Sequence, residues 1–404
     1  MTTAASTSTT VAYVFRRRYS DAQVADVTMR DHPTYQRLSK VMGLGGQDFV
    51  YAVTTGDPQG VGNGALSNAQ FADETLKGEQ FVCTDVLKYG YITIDGPSLL
   101  RNQAFQGKII DLVTRTTDGV LRTIGSDVAF DIFRDGNGKL GRRASISGNI
   151  VTLTDATDVD KFKRGMTVIA SANASGTSPR AGQAKVTKID RANKKITLDD
   201  QSTITLFADN DYLFRYGTAQ NAIQGMGACT PLVAPTSGVL FRNVERTNDT
   251  EALAGTRIDD TTRFPEEMIG DLAVQLSLMG KRIDRATVYP TVFQSMVKRL
   301  GAKVTYMTPG GTANIGFQEL MLHAAGYAVP VTSDPDIVPS ELRVWDETSH
   351  NLTYLGPTVV HLIRDDGLVR RAQTGNDGFE IRSRFQGNYL QPDPAAHGVG
   401  SFLA

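Results

Sequence analysis

The sequence lacks the features of an exported or membrane-bound protein. It has two cysteines, Cys83 and Cys229, which lie far apart and form neither a CxxC metal motif nor a disulfide framework. No apolar run reaches the roughly 18 residues that a membrane-spanning helix needs. The first residues, MTTAASTSTT, lack the cationic and apolar segments of a signal peptide. We therefore expect a soluble protein that is made in the cytoplasm and has no membrane partner.

The chain also lacks an excess of charge of either sign. Lysine and arginine total 42 and the acidic residues 43, so the net charge is -1. Strong non-specific binding to nucleic acid, which depends on a cationic surface, is not indicated. A protein that encloses packed DNA without gripping it would also be close to neutral. At 404 residues the chain is longer than one usual hydrophobic core, and we expect two or three compact units.

No catalytic or cofactor-binding motif is present. The sequence contains no Walker loop, no GxSxG nucleophile elbow and no HExxH pair. GVGNG has no helix pattern after it, and DGNGK lacks the glycine and glutamate of a calcium loop, so a turn explains it better. The histidines are scattered: His32, His323, His350, His361 and His397. We predict a protein that is not an enzyme and that holds no metal or cofactor.

Several segments are extended and cannot bury their own apolar surface. Residues 1–47 read as an arm, with Arg16, Arg17 and Arg18 as candidates to bind an acidic flank of a neighbouring subunit or nucleic acid, unless they form a solvated charge run. Residues 48–96 read as a long two-stranded excursion with a glycine-rich tip. Its candidate contact residues are Phe71 and Lys77, near that tip.

A long helix is predicted next. Between residues 98 and 134 apolar residues recur every three or four positions, and a continuous helix of that length would span about 55 Å. Gly107, Gly119 and Gly125 each cost such a helix about 1 kcal/mol relative to alanine, which suggests a close backbone neighbour or a bend. Residues 146–217 instead show short strands separated by turns. They predict a small β-barrel or β-sandwich inserted into a larger domain.

From residue 218 onward helices and strands alternate. RFPEEMIGDLAVQLSLMG, TVFQSMVKRLG and GFQELMLHAAG are predicted as helices. A proline-pinned elbow follows between the strand-like runs 327–331 and 342–345. Asp334 and Asp336 flank Pro335 in this elbow. They have no obvious cationic partner, so Asx-Pro turn chemistry explains them, and they are candidates for intersubunit contact.

Bare apolar stripes and projecting strands need partners, which indicates self-assembly. The order of elements resembles the major capsid protein of tailed bacteriophages, the Hong Kong 97-type fold. The elbow GYAVPV…DP…LRVWDE, the strand and helix DRATVYPTVFQSMVK, and the tail DGLVRRAQTGNDGFEIRSRFQGNYLQP carry the resemblance.

The resemblance implies an α+β fold with an added β-barrel or sandwich. Its parts would be an N-terminal arm (1–47), an extended loop (48–96) that lies over the neighbouring subunit, a peripheral domain with the spine helix (97–145 and 355–404), the insertion (146–217) and an axial domain (218–354). Lys77 lies near the loop tip, but without an apolar carboxylate site no crosslink is predicted.

The function implied is that of a coat subunit that assembles with itself, as pentamers and hexamers, into an icosahedral shell around double-stranded DNA. Its implied partners are a separate scaffolding protein, a portal and a decoration protein, and its location is the virion, with assembly in the bacterial cytoplasm. The alternatives are an encapsulin-like nanocompartment shell, a tail or baseplate component that forms rings or tubes, and an enzyme with a β accessory domain.

Overall fold

The computed structural model describes residues 32–43, 48–97, 112–199, 208–300, 320–364, 367–373, 375 and 377–403. Most of the predicted arm, including Arg16, Arg17 and Arg18, lies outside the described residues, as do residues 98–111 of the predicted long helix. The helices, in chain order, are α1 Pro33–Arg37, α2 Leu66–Phe71, α3 Leu112–Asp131, α4 Met226–Cys229, α5 Thr250–Ala254, α6 Pro265–Leu278 and α7 Pro290–Leu300.

Strands account for more of the described residues than helices do. In chain order they are β1 Ser39–Met42, β2 Asp48–Gly56, β3 Lys77–Thr84, β4 Val86–Asp95, β5 Lys139–Ser147, β6 Ile150–Leu153, β7 Thr167–Ser171, β8 Ala184–Asp190, β9 Lys195–Leu198, β10 Tyr212–Arg215, β11 Leu240–Phe241, β12 Val244–Glu245, β13 Thr256–Ile258, β14 Arg285–Val288, β15 Leu320–Ala324, β16 Tyr327–Ser333, β17 Glu341–Trp345, β18 Asn351–Tyr354, β19 Val360–Leu362, β20 Arg371–Ala372, β21 Gly378–Leu390 and β22 His397–Ser401.

One six-stranded mixed sheet is ordered β13-β22-β17-β14-β16-β15, and α6 packs on it. Helix α6 begins at Pro265, whose missing N–H costs nothing at the first helical position. It ends before Gly280, which has a φ of 73°. Its buried stripe, Met268, Ile269, Leu272, Ala273 and Leu276, forms the core against the sheet. The predictions for this helix and for α7 are confirmed.

The prediction of a third helix is wrong for the described part of GFQELMLHAAG; residues 316–319 of this segment lie outside the described residues. Within GFQELMLHAAG, residues Leu320–Ala324 form strand β15, which pairs antiparallel with β16. Ala325 and Gly326, with φ of 50° and 83°, close this hairpin in the two-residue turn that suits the twist of paired strands. Leucine, methionine and alanine favour helix locally, but the pairing with β16 overrides that preference.

The second sheet, also six-stranded, is ordered β1-β18-β21-β19, with β4 and β20 also paired to β21. The pairing of β4 with β21 runs from Val86↔Gly387 to Asp95↔Gly378. The single returning strand predicted for the excursion therefore consists of two strands, β3 and β4, and β4 belongs to this sheet. Helix α3 covers one face of β4, and Lys88 of β4 forms an ion pair with Asp131 of α3 at 2.5 Å.

Gly90 of β4 lets α3 approach the sheet. A Cβ there would collide with Val120 and Ile124 of α3 and with Ser383 of β21. We expect Gly90→Ala to lower the free energy of unfolding by about 1–3 kcal/mol, as overpacking does. Gly119→Ala is the matched control, because no atom lies within 4 Å of its Cβ position.

The control should raise the free energy of unfolding by about 0.5–1 kcal/mol, the gain from replacing glycine inside a helix. Urea denaturation of both variants checks the pair, and equal effects would contradict this account of Gly90. A Cβ at Gly119 or Gly125 would meet no atom within 4 Å, so neither glycine has a close backbone neighbour in the described chain. Gly107 lies outside the described residues.

The inserted module is a closed barrel, ordered β10-β5-β6-β9-β8-β7, with its own core. Phe130 of α3 packs against that core, and Asp127 of α3 forms ion pairs with Arg215 and Lys163. The prediction of a small β-barrel is confirmed. Its first strand begins at Lys139, so the predicted boundary at residue 146 falls inside that strand; the domain boundaries stay predictions.

Candidate assembly surfaces

A projecting hairpin, formed by β2 and β3, is anchored at its base by aromatic packing. The strands pair from Asp48↔Thr84 to Gly56↔Lys77. The buried ring of Phe81 stacks on Tyr51 with a centroid separation of 5.1 Å and meets the ring of Phe241 edge-on at 6.4 Å. Offset and edge contacts of this kind are the favourable geometries for aromatic pairs. The base is therefore anchored to the folded body.

The hairpin tip, residues 57–76, is different, because its large apolar side chains face solvent. Phe71 is 96% exposed, and Val61, Leu66 and Leu76 are exposed as well. Local contacts keep the tip compact: Asn68 donates its side-chain amide to the carbonyl of Asn63 at 2.8 Å. Contiguous exposed apolar surface on a folded protein usually marks an interaction site. The tip is thus the strongest candidate for contact with another molecule.

Of the contact residues predicted from the sequence, Phe71 lies at this tip and Lys77 at its edge. Lys77 forms an ion pair with Glu74 at 3.0 Å, and both side chains are more than half exposed. An exposed pair of this kind contributes at most about 1 kcal/mol. Contact of either residue with a neighbouring subunit stays a prediction.

The outer face of β4 is a second exposed surface. Leu87, Tyr89 and Tyr91 alternate along the strand and point away from α3, and each is exposed by more than 45%. The Tyr91 hydroxyl donates to Glu380 of the paired strand at 2.8 Å. Alternation in the sequence predicts a strand here but does not tell which of its faces helix α3 covers. We call this surface, formed by Leu87, Tyr89 and Tyr91, the β4 ridge.

The elbow carboxylates of Asp334 and Asp336 lie inside the chain. Asp334 is 1% exposed and accepts hydrogen bonds from the backbone N–H of Thr34 at 3.0 Å and of Asp336 at 2.9 Å. Asp336 is 2% exposed and meets His32 Nδ1 at 2.5 Å. Burial raises the pKa of Asp334. The elbow therefore holds His32 and Thr34 in place.

No sequence pattern indicates this partner, since His32 and Asp336 are 304 positions apart. The sequence shows no obvious partner for the pair, and the structure places the His32 side chain against Asp336. Both side chains hold their own chain together, and their contact with a neighbouring subunit stays a prediction.

A chemical site does not emerge from the described residues. Among them, no group of three or more His, Cys, Asp or Glu side chains could hold a metal ion. Asp135 in DGNGK accepts hydrogen bonds from the backbone and side-chain N–H groups of Asn137, as an Asx turn does. In the same part of the chain, no helix is both long and apolar enough to cross a membrane.

Comparison with known proteins finds similarity in structure and none in sequence. No family model matches the chain, and no curated protein matches its sequence. The capsid of a native GTA particle aligns over 100% of both chains at 10% identity with a TM-score of 0.54. The cyanophage A-1(L) capsid aligns over 94% of this chain and 95% of its own, at 10% identity and a TM-score of 0.52.

The capsid of an empty GTA particle aligns over 97% of this chain and 96% of its own, again at 10% identity, with a TM-score of 0.51. At such identities the likeness concerns the fold. The alignments extend over nearly the whole length of each chain. The α+β fold expected from the sequence, the Hong Kong 97-type capsid fold with an added small β-barrel, is confirmed.

Proposed function

We propose that this protein is the major capsid protein of a tailed double-stranded-DNA bacteriophage and assembles with itself into an icosahedral shell. The observation that carries the proposal is the hairpin tip, where Phe71 is almost fully exposed on a chain that aligns with a capsid chain over 100% of its length. A lone subunit would keep this apolar surface in water, whereas a shell would bury it at every repeat.

The charge balance supports DNA as the content of the shell. A net charge of -1 gives a wall that neither adheres strongly to a polyanion nor repels it strongly. Binding would then be independent of base sequence. Pentamers and hexamers, a separate scaffolding protein, a portal and a decoration protein belong to the same proposal, as do the virion as location and the host cytoplasm as the place of assembly.

Electron microscopy of the purified recombinant protein, alone and with a scaffold candidate, tests the proposal. We expect closed, uniform, hollow particles. Open rings or tubes would instead support a tail or baseplate component. A monodisperse species of 43.7 kDa under all conditions would reject self-assembly.

A further inference from the structure

A two-residue turn beside the hairpin base has an unusual composition. Strands β11 and β12 pair through Phe241↔Val244, and the turn between them consists of Arg242 and Asn243. Their φ angles are 50° and 69°, both in the left-handed region. Turns of this type favour Asn-Gly, because most residues that carry a Cβ are strained at left-handed φ angles. Asparagine tolerates the conformation, but arginine at the first position has no local advantage.

The conformation directs the guanidinium of Arg242 into the protein. The residue is 8% exposed. Its Nη1 donates to the hydroxyl of Tyr51 at 3.0 Å, and its Nη2 donates to the backbone carbonyls of Tyr389 at 2.8 Å and Gln224 at 3.1 Å. Its Nε donates to Gln224 Oε1 at 3.1 Å. One side chain thus joins the hairpin to two separate segments of the body.

The backbone of Arg242 makes the second connection to the hairpin. Its carbonyl accepts a hydrogen bond from the N–H of Val82 in β3 at 3.0 Å. Tyr51 lies in β2, so Arg242 contacts both hairpin strands. A change in the angle between hairpin and body would break at least one of these bonds.

None of these four acceptors is a carboxylate, so only neutral groups solvate the cation. Arginine remains protonated at every accessible pH, and a buried cation that loses its acceptors is costly. The orientation in which all acceptors converge is therefore strongly preferred over others. Backbone strain that persists at one residue in this way points to a role for its side chain.

We propose that Arg242 is a positioning residue that fixes the angle at which the β2–β3 hairpin leaves the body. The inference deepens the proposed function, since a fixed angle brings the tips of identical subunits to equivalent positions in a shell. It concerns the single chain, however, and is testable without assembly.

The test uses Arg242→Asn in the full-length protein. Asparagine accepts left-handed φ, so the substitution relieves the turn while removing the guanidinium. Spin labels are attached to cysteines introduced at Thr54 and Leu278, which are both exposed. The native Cys83 and Cys229 are buried and are therefore protected from labelling. Pulsed electron paramagnetic resonance gives the distribution of distances between the label on the hairpin and the label on the body. We expect a narrow distribution with Arg242 present and one at least twofold broader with Arg242→Asn.

Arg246→Asn is the matched control. Like Arg242, Arg246 stacks on the ring of Phe241. Its guanidinium donates to the carbonyls of Ala228 and Cys229, which lie in the body. Its loss should leave the distance distribution narrow. Arg242→Lys should broaden it, because an ammonium keeps the charge without the planar fork that reaches all acceptors.

An unchanged narrow distribution in Arg242→Asn would overturn the inference, because that result is expected if Arg242 serves only to form the turn. If Arg242→Asn fails to fold, Tyr51→Phe removes only the hydroxyl contact, and there too a narrow distribution overturns the inference. The outcome is independent of shell formation. A wild-type protein that forms no particles would reject the proposed function and leave this measurement valid.

Discussion

Phe71→Asp should abolish shell formation while the subunit itself stays folded. The Phe71 side chain is 96% exposed, so the substitution removes no contact within the chain. Burial of a phenylalanine at an interface contributes about 2–3 kcal/mol, which is roughly a 30- to 150-fold change in the equilibrium constant of each contact. Because every subunit repeats the contact, the loss is multiplied over the shell.

The measurement is particle yield by light scattering and electron microscopy, together with circular dichroism of the unassembled subunit. Ser67→Asp is the control, since it adds the same charge to the same short helix, α2, at another exposed position. We expect Ser67→Asp to assemble far more readily than Phe71→Asp. Normal particles from Phe71→Asp would show that the apolar tip is not an assembly contact.

The elements that the sequence predicted well are those whose signals are local. Helix α6 has proline at its start, glycine after its end and an uninterrupted apolar stripe between them, and all three act within a few residues. The barrel was similarly recognisable from short strands and turns, since each hairpin carries its own turn residues. The sequence of β15 fits both a helix and a strand. Its local preference for helix misleads there, because pairing with the neighbouring strand determines the structure.

The surfaces depend on contacts between residues far apart in the chain, so the sequence predicted them only in part. The exposed hairpin tip was expected from its length and its glycines. The anchoring of His32 by Asp336, the side of β4 that α3 covers and the four acceptors of Arg242 were not. Each of these arises when the folded chain places distant segments side by side, and no spacing within the sequence records it.

The folded subunit should also lose stability in acid, through a pair of buried histidines where the two sheets meet. The His350 and His397 rings lie 5.3 Å apart, and both are almost fully buried. His350 Nδ1 meets the Tyr389 hydroxyl at 3.1 Å, and His397 Nε2 meets Ser349 Oγ at 2.7 Å. Such packing accommodates neutral imidazoles and disfavours charged ones.

Burial lowers the pKa of His350 to about 4, although Glu347 and Asp346 act in the opposite direction. Burial also lowers the pKa of His397, and the neighbouring His350 and Arg343 lower it further. In the unfolded chain a histidine titrates near 6.5 and so binds a proton first as pH falls. The stability contributed by neutral His350 is therefore complete above pH 6.5 and is lost progressively toward pH 4.

For His350 alone we expect the free energy of unfolding to fall by about 2 kcal/mol between pH 7.5 and pH 5. Trp345, the only tryptophan, is buried, and its ring centroid lies 5.8 Å from that of His350. Its fluorescence therefore reports unfolding in urea titrations of the unassembled protein. His350→Phe should reduce stability at pH 7.5 but flatten its dependence on pH below 6.5.

Tyr389→Phe provides the matched control for this comparison. It removes the same hydrogen bond but keeps the imidazole, so it should lower stability at every pH and leave the slope below pH 6.5 unchanged. If His350→Phe and Tyr389→Phe shift the whole curve equally, His350 contributes packing and no pH dependence. A flatter curve for His350→Phe alone identifies the buried imidazole as the group whose protonation loosens the junction of the two sheets.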